Sequence, residues 1–413
     1  MIKHTTLIIA ICISTILIGQ NNQISLSPGY ANQSFYSMQN GEIINTSNED
    51  WDIAFSTDAF SATIRINDGK GVELYTYPLG DTISWTTINN SSINILTNPM
   101  YNSDTKWSSG AFDTNQVGGF DYGWGIYNLQ NHHIVGDSLF IIKTVNGTWK
   151  KLWMERKSSG AYIFKYANLD GTNEISDNIL ASNYDNKLFI YYSLDNNILL
   201  DREPPLSDWD ITFTKYITEV QSTPYSVTGV LSNEGIEVAQ ADGIQNPLSY
   251  TNYSSHVFQT DINTIGYDWK TFQGSYILDP ERCFFIRDYD QNIWRLFFTN
   301  FDGMSTGNIE FNTELITSTN ISETEKQSTL TVYPNPVSSG QEITLIHELL
   351  SSNKSEANIV LHDISGREVY KASILTRNGL NAHKIATEKF NKGIYIISLK
   401  IDGWEKKERI AIY

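Results

Sequence analysis

Only two cysteines occur in the 413 residues. Cys12 falls in the apolar opening stretch and Cys283 stands alone in a strand-like run. Without the opening stretch no internal disulfide is available, and a single buried thiol is the expected state of Cys283. Positive charge is scarce as well: 29 Lys and Arg stand against 46 Asp and Glu, a formal balance of −17. That argues against a nucleic-acid partner, which needs a basic face to displace counterions from phosphates. The acidity sits ahead of residue 329, because 329–413 is slightly basic. Beyond the first twenty residues no apolar run approaches the length of a membrane span, and no stretch keeps a convincing helical period.

Catalytic signatures are missing too. There is no Gly-x-Ser-x-Gly elbow and no Gly-rich phosphate loop. His347-Glu348 lacks the second His of a zinc helix. Asn168–Glu174 has part of a calcium-loop spacing. Tyr166, however, stands where the first acidic ligand belongs and no Glu fills the last position, so an ordinary turn is expected. The chain is therefore read as non-enzymatic.

What the chain does contain is a duplication. Asp50-Trp51-Asp52-Ile53-Ala54-Phe55 recurs as Asp208-Trp209-Asp210-Ile211-Thr212-Phe213. Trp, Ile and Phe alternate with other residues, the period-2 pattern of a half-buried strand. The flanks match in the same order. Phe35–Met38 answers Ile190–Leu194, and Gly119–Tyr122 answers Gly266–Trp269. Phe140–Lys143 then answers Phe284–Arg287, Trp149–Trp153 answers Ile293–Phe297, and Gly160–Phe164 answers Gly307–Phe311. Asp50 and Asp52, like Asp208 and Asp210, would share the strand face opposite the Trp. Since the pair is duplicated, a role in the fold is the expected one.

Residues 1–20 read as a secretory signal: Lys3, a short apolar run, then polar residues. Cys12 follows Ile11 in mid-run, which argues against lipidation. The first repeat covers 31–175 and the second 184–318. Residues 82–118 are the least regular part of the first and have a shorter counterpart near 244–262, so a ligand site is expected on these long connections. A polar linker, 319–328, precedes a third segment, 329–413, whose strands and Asp-x-x-Gly turn describe a small antiparallel sandwich. The expected fold is mostly β: two tandem antiparallel repeats, then the sandwich.

The third segment carries Tyr333-Pro334-Asn335-Pro336, Asp363-Ile-Ser-Gly366-Arg-Glu-Val and Lys392-Gly393-Ile-Tyr-Ile-Ile-Ser-Leu. In these motifs it resembles the type A sorting domain of type IX secretion substrates of Bacteroidota. The resemblance implies export by the Sec route, passage across the outer membrane, and attachment to the cell surface or release. It implies as partners the secretion machinery and its sorting peptidase, with no transmembrane segment in the mature chain. The two repeats resemble the HmuY-type haemophore family in Asn40-Gly41-Glu42-Ile43-Ile44, in Trp51–Phe55 and Trp209–Phe213, and in Phe140–Lys143 and Phe284–Arg287.

That likeness implies a β fold and raises haem as a cofactor held between two histidines. The repeats contain only His132, His133 and His256, and these are the candidate haem or metal ligands. His132 and His133 are adjacent, so on a strand they would face opposite ways. Three readings follow. The first is an exported, non-enzymatic binding protein of unidentified ligand, the second a haemophore for iron acquisition, and the third a structural or adhesive module binding glycan or surface protein.

Overall fold

The strands begin one residue after the repeated Asp-Trp-Asp, and each motif turns out to be a docking point for a hairpin from the other repeat. The computed structural model describes residues 19–317, 330–349, 355–364, 366–376, 379–401 and 404–413. The signal read at 1–20 therefore lies almost wholly outside the described residues, and the linker 319–328 wholly outside them. The architecture is mostly β, with short 3-10 turns as the helical elements among the described residues. It divides into the units Met1–Ser318 and Thr319–Tyr413.

The first unit contains two lobes of matching design. In the first lobe the larger sheet runs Ile175–Leu180, Ala161–Asn168, Trp149–Ser158, Phe140–Lys143, Glu73–Thr76, each strand antiparallel to the next. In the second lobe the order Gln20–Ser25, Asn308–Thr317, Ile293–Phe301, Cys283–Arg287, Glu237–Ala241 repeats it. Even an ion pair recurs across the last two strands, Lys143 with Glu73 at 2.9 Å and Arg287 with Glu237. Each large sheet is faced by a smaller one. In the first lobe it is Ile198–Leu200, Phe189–Ser193, Ile53–Ser56, Ile64–Ile66. In the second it is Gly41–Ser47, Asn32–Ser37, Ile211–Val220, Thr223–Ser232.

The packing boundaries thus fall elsewhere than the repeat boundaries 31–175 and 184–318. The first lobe is the continuous segment 49–204; the second joins 19–48 to 205–317. Each Asp-Trp-Asp strand pairs with the hairpin of the other repeat. Asp52 N–H donates to Tyr192 O at 2.9 Å, and its carboxylate accepts Leu194 N–H at 2.7 Å and Val145 N–H at 2.8 Å. Asp210 N–H likewise donates to Tyr36 O at 2.9 Å, and its carboxylate accepts Met38 N–H at 2.6 Å. Asn67 and Asn233 close the two motifs from behind, donating to the Trp51 and Trp209 carbonyls at 3.1 and 2.8 Å. Burial pushes both Asp52 and Asp210 up to about 6, against the pull of these N–H donors.

The expected sharing of one face by the two acids is therefore corrected. Asp52 is fully buried and serves the backbone, whereas Asp50 is half-buried beside Arg202, at 3.7 Å. The half-buried strand is corrected too, since Ile53–Ser56 is buried throughout. One face, Ile53 and Phe55, packs into the first lobe's core; the other, Ala54, meets Trp51, Phe189, Tyr191 and Trp209 between the lobes. Phe35 stands edge-on to Trp209 at 5.0 Å, and Trp51 to Tyr191 at 4.9 Å, so this middle layer is also duplicated. The matched Gly119–Tyr122 differs as well: Tyr122 is half-buried, and the buried indole answering Trp269 is Trp124.

Two reciprocal clamps tie the lobes. The irregular 82–118 segment reaches across, with Trp107 Nε1 donating to Ser232 O at 2.9 Å and Thr105 O accepting Ile262 N–H at 3.1 Å. From the other side, the long second-lobe hairpin presses its Lys215 carbonyl onto Gly69, where a Cβ would lie 2.2 Å away. Gly110 anchors the base of the first clamp, and a Cβ there would stand 2.1 Å from Ile64 O. Gly110→Ala is expected to cost about 1–3 kcal/mol through overpacking. Urea denaturation followed by tryptophan fluorescence checks this, and an unchanged midpoint would contradict it.

The second unit is the expected sandwich. Leu330–Tyr333, Glu342–Leu349 and Gly379–Ala386 form one sheet. Glu368–Thr376, Ser355–Asp363, Gly393–Ile401 and Trp404–Ile412 form the other. Val332, Ile343, Leu345, Ile359, Ile397 and Ile410 fill the space between. In the entry motif Tyr333-Pro334 and Asn335-Pro336 are cis peptides, and Asn335 is latched to the last strand. Its Nδ2 donates to Arg409 O at 2.7 Å and its Oδ1 accepts Ala411 N–H at 3.1 Å. Asp363 caps its turn by accepting Arg367 N–H at 3.1 Å, with Gly366 at φ +83 supplying the left-handed step.

Candidate binding site

The duplicated features serve the fold, so the places where the lobes differ are the places to look for function. The clearest difference follows the two Phe residues of the repeated motif. In the second lobe the strands Ile211–Val220 and Thr223–Ser232 run ten residues each as a hairpin. In the first lobe the equivalent strands are four and three residues long and are joined by the loop 57–63. Asp58 shapes it as an Asx turn, its Oδ1 accepting Phe60 N–H at 2.7 Å. Lys157 rises from below and donates its ammonium to the carbonyls of Asp58, at 3.1 Å, and Ser61. Burial lowers Lys157 to about 8. The loop thus carries Phe60 outward, 94% exposed.

Three clefts meet at this loop, and Ser61 lines all of them. One, of about 350 Å³, runs toward the lobe boundary past Trp107, Ser182, Lys187 and Glu234. A second of about 350 Å³ has Phe60, Tyr122, Tyr127, His132 and Lys157 in its walls. A third, of about 230 Å³, lies against Asp113, Gln116 and Tyr122. Phe120 and Tyr127 lie nearly parallel, 6.2 Å apart at 10°. Tyr127 Oη meets His132 Nδ1 at 2.6 Å, so one nitrogen of that imidazole is engaged. Burial pushes Asp113 up to about 7, although it accepts Gly110 N–H at 2.7 Å.

The candidate haem ligands are dispersed. His132 sits in a turn at φ +60 and faces the second cleft; His133 opens the following strand and lines none of these clefts. His256 belongs to the other lobe, where it bonds Tyr250 Oη at 2.9 Å and stacks over Phe285. The cleft therefore offers one imidazole and not the pair that the haemophore resemblance implies. Among the described residues no three His, Cys, Asp or Glu side chains converge to hold a metal ion. Asp170 takes both the N–H and the hydroxyl of Thr172, at 2.9 and 2.6 Å, as an ordinary turn does. Cys283 is buried and its thiol is pushed up to about 11 by burial, an inert group.

Phe60, Tyr122, Tyr127 and Lys157 are the site residues that motif reading misses. A signal was present. After Phe213 the strand pattern continues through Thr-Lys-Tyr-Ile-Thr, whereas after Phe55 it breaks into Ser-Thr-Asp-Ala-Phe-Ser. The long 82–118 connection proves to be mainly a clamp, although Trp107, Ser108, Asp113 and Gln116 from it also line the clefts.

Comparison with known proteins adds one assignment. Residues 331–413 match the family described as the secretion system C-terminal sorting domain. This part of the chain is a type IX sorting domain, and the protein carrying it is an export substrate bound for the cell surface or the medium. No curated protein matches the chain. Among solved structures, a β-glucosidase from Listeria innocua in complex with gluconolactone aligns at 11% identity and TM-score 0.17, over 21% of this chain and 16% of that one. The dimeric latent PorU of Porphyromonas gingivalis aligns at 9% identity and TM-score 0.19, over 92% of this chain and 40% of its own. An Escherichia coli alpha-2-macroglobulin activated by porcine elastase aligns at 9% and 0.18, over 96% and 44%. This chain spans less than half of each, and TM-scores this low define no shared fold.

Proposed function

We propose that the mature protein is a non-enzymatic binding protein, delivered by the type IX route, whose site is the group of clefts around Phe60 in the first lobe. One observation carries this reading. A hairpin that is continuous in the second lobe is opened in the first into a loop that displays an aromatic side chain among three clefts. Phe60 shares its cleft with Tyr122 and Tyr127, and such a grouping of aromatic rings around a cleft, beyond the exposure of one ring, supports a binding role.

Export and binding are separable. Deletion of 331–413 is expected to leave the protein inside the cell, whereas Phe60→Ala leaves export and melting temperature unchanged. Secretion of the truncated chain into the medium would sink the export half. For the binding half, the full chain is screened by thermal shift against a small-molecule and saccharide collection. A stabilising compound whose effect disappears in Phe60→Ala supports the site; stabilisers indifferent to that change contradict it.

Haem is a second reading, favoured by the position of His132 on an aromatic-walled cleft. A hemin titration giving a saturable, shifted Soret band that His132→Ala abolishes would support it. Unsaturable binding indifferent to that change would remove it.

A further inference from the structure

We infer that the ligand of these clefts is an uncharged oligosaccharide chain; the inference rests on the reading of the clefts as the binding site. Two cations line the larger clefts, and neither is available to a ligand. Lys157 is consumed by the Asp58 and Ser61 carbonyls. Lys187 is consumed by Asp201 and by the Glu203 carbonyl at 2.6 Å. The carboxylates of the lining are Asp58, Asp185 and Glu234 in one cleft and Asp113 in another, and the remaining cleft adds His132, one of whose ring nitrogens is bonded to Tyr127 Oη. In the two clefts that carry carboxylates, a phosphate, sulfate or uronate would meet them with no unengaged Lys or Arg among the described lining residues to offset them.

Hydroxyl groups recur along the clefts, among them Ser61, Ser108, Ser158, Ser159 and Ser182. Their donors and acceptors suit a ligand that is itself a series of hydroxyls. Interleaved with them are the rings of Phe60, Tyr122, Tyr127 and Trp107. The negative face of an aromatic ring attracts the weakly positive C–H face of a pyranose.

The rings are spread over separate clefts that share Ser61, and they do not converge on one point as a cage for a quaternary ammonium does. A chain of repeating units bent around Phe60 fits this arrangement, with sugar rings in adjoining clefts.

The test is calorimetric titration of the full-length secreted chain, wild type and Phe60→Ala, with neutral hexasaccharides of glucose, xylose and N-acetylglucosamine. Heparin, spermine and hemin serve as the other arms. Saturable binding of at least one neutral hexasaccharide is expected, weakened by about tenfold or more in Phe60→Ala, as for an aromatic anchor. Circular dichroism of the variant confirms that its fold is kept. Phe60-dependent binding of heparin, spermine or hemin alone would overturn the saccharide while leaving the clefts as the binding site. A saccharide bound equally by wild type and variant would overturn the clefts themselves, and binding of none of the probes overturns the inference.

Discussion

A fragment spanning 49–204 is expected to fold by itself, whereas a fragment cut at the sequence repeat, 31–175, is not. The first contains every strand of one lobe, including Phe189–Ser193, which pairs with Ile53–Ser56, and Ile175–Leu180, which closes the large sheet. The second loses both and carries instead the hairpin 32–47, whose partner Ile211–Val220 it lacks. In that fragment Asp52 would keep a buried carboxylate without the Leu194 N–H it accepts, and Ile190, Tyr192 and Leu194 would leave the core. Each such vacancy costs about 2–5 kcal/mol, which together matches the whole stability of a typical domain, about 5–15 kcal/mol. A single cooperative thermal transition for 49–204 and none for 31–175 is the predicted result. The converse would place the folding boundary at the repeats.

Second, Arg65→Met is expected to loosen the clamp between the lobes by about 5–9 kcal/mol, given that each of three hydrogen bonds to a charged group contributes about 1.5–3 kcal/mol. The guanidinium is buried and spends its donors on backbone carbonyls of the reaching segment: Ser103 at 2.8 Å, Lys106 at 2.9 Å and Ser109 at 3.1 Å. It also lies over the Trp107 ring at 5.0 Å. Burial lowers its pKa, with Asp68, Asp113 and Asp104 acting in the opposite sense. Met fills similar volume and offers no donor, leaving three carbonyls facing an apolar side chain. Arg65→Lys should recover only part of the loss, because an ammonium is a point donor that cannot span the fork. Chemical denaturation of residues 19–317 measures both, and a Met variant as stable as the parent would show that the segment is held without the guanidinium.

Much of this was legible in the residues. The duplication and the export address both follow from motifs and their order. Which hairpin docks on which strand does not. Tyr36-Ser37-Met38 and Tyr192-Ser193-Leu194 present the same N–H groups and nearly the same side chains to Asp210 and Asp52. Local pattern therefore cannot choose between pairing within a repeat and pairing across repeats; that choice depends on the geometry of the connections. The role of 82–118 was hidden for a related reason. Trp107 and Thr105 find their partners, Ser232 and Ile262, more than a hundred residues away, where no periodicity reaches. Phe60 was hidden because an exposed aromatic reads like any other until its surroundings are known.

The central claim is that two interleaved lobes, and not two sequence repeats, are the units of this fold. Native-state amide hydrogen exchange on residues 19–317 tests it most directly. The account predicts that the amides of Tyr36 and Met38 open together with those of Ile211 and Phe213. Those of Tyr192 and Leu194 should open with Ile53 and Phe55, at a separate free energy. Tyr36 and Met38 exchanging in step with Ile53 and Phe55, and Tyr192 with Ile211, would contradict it.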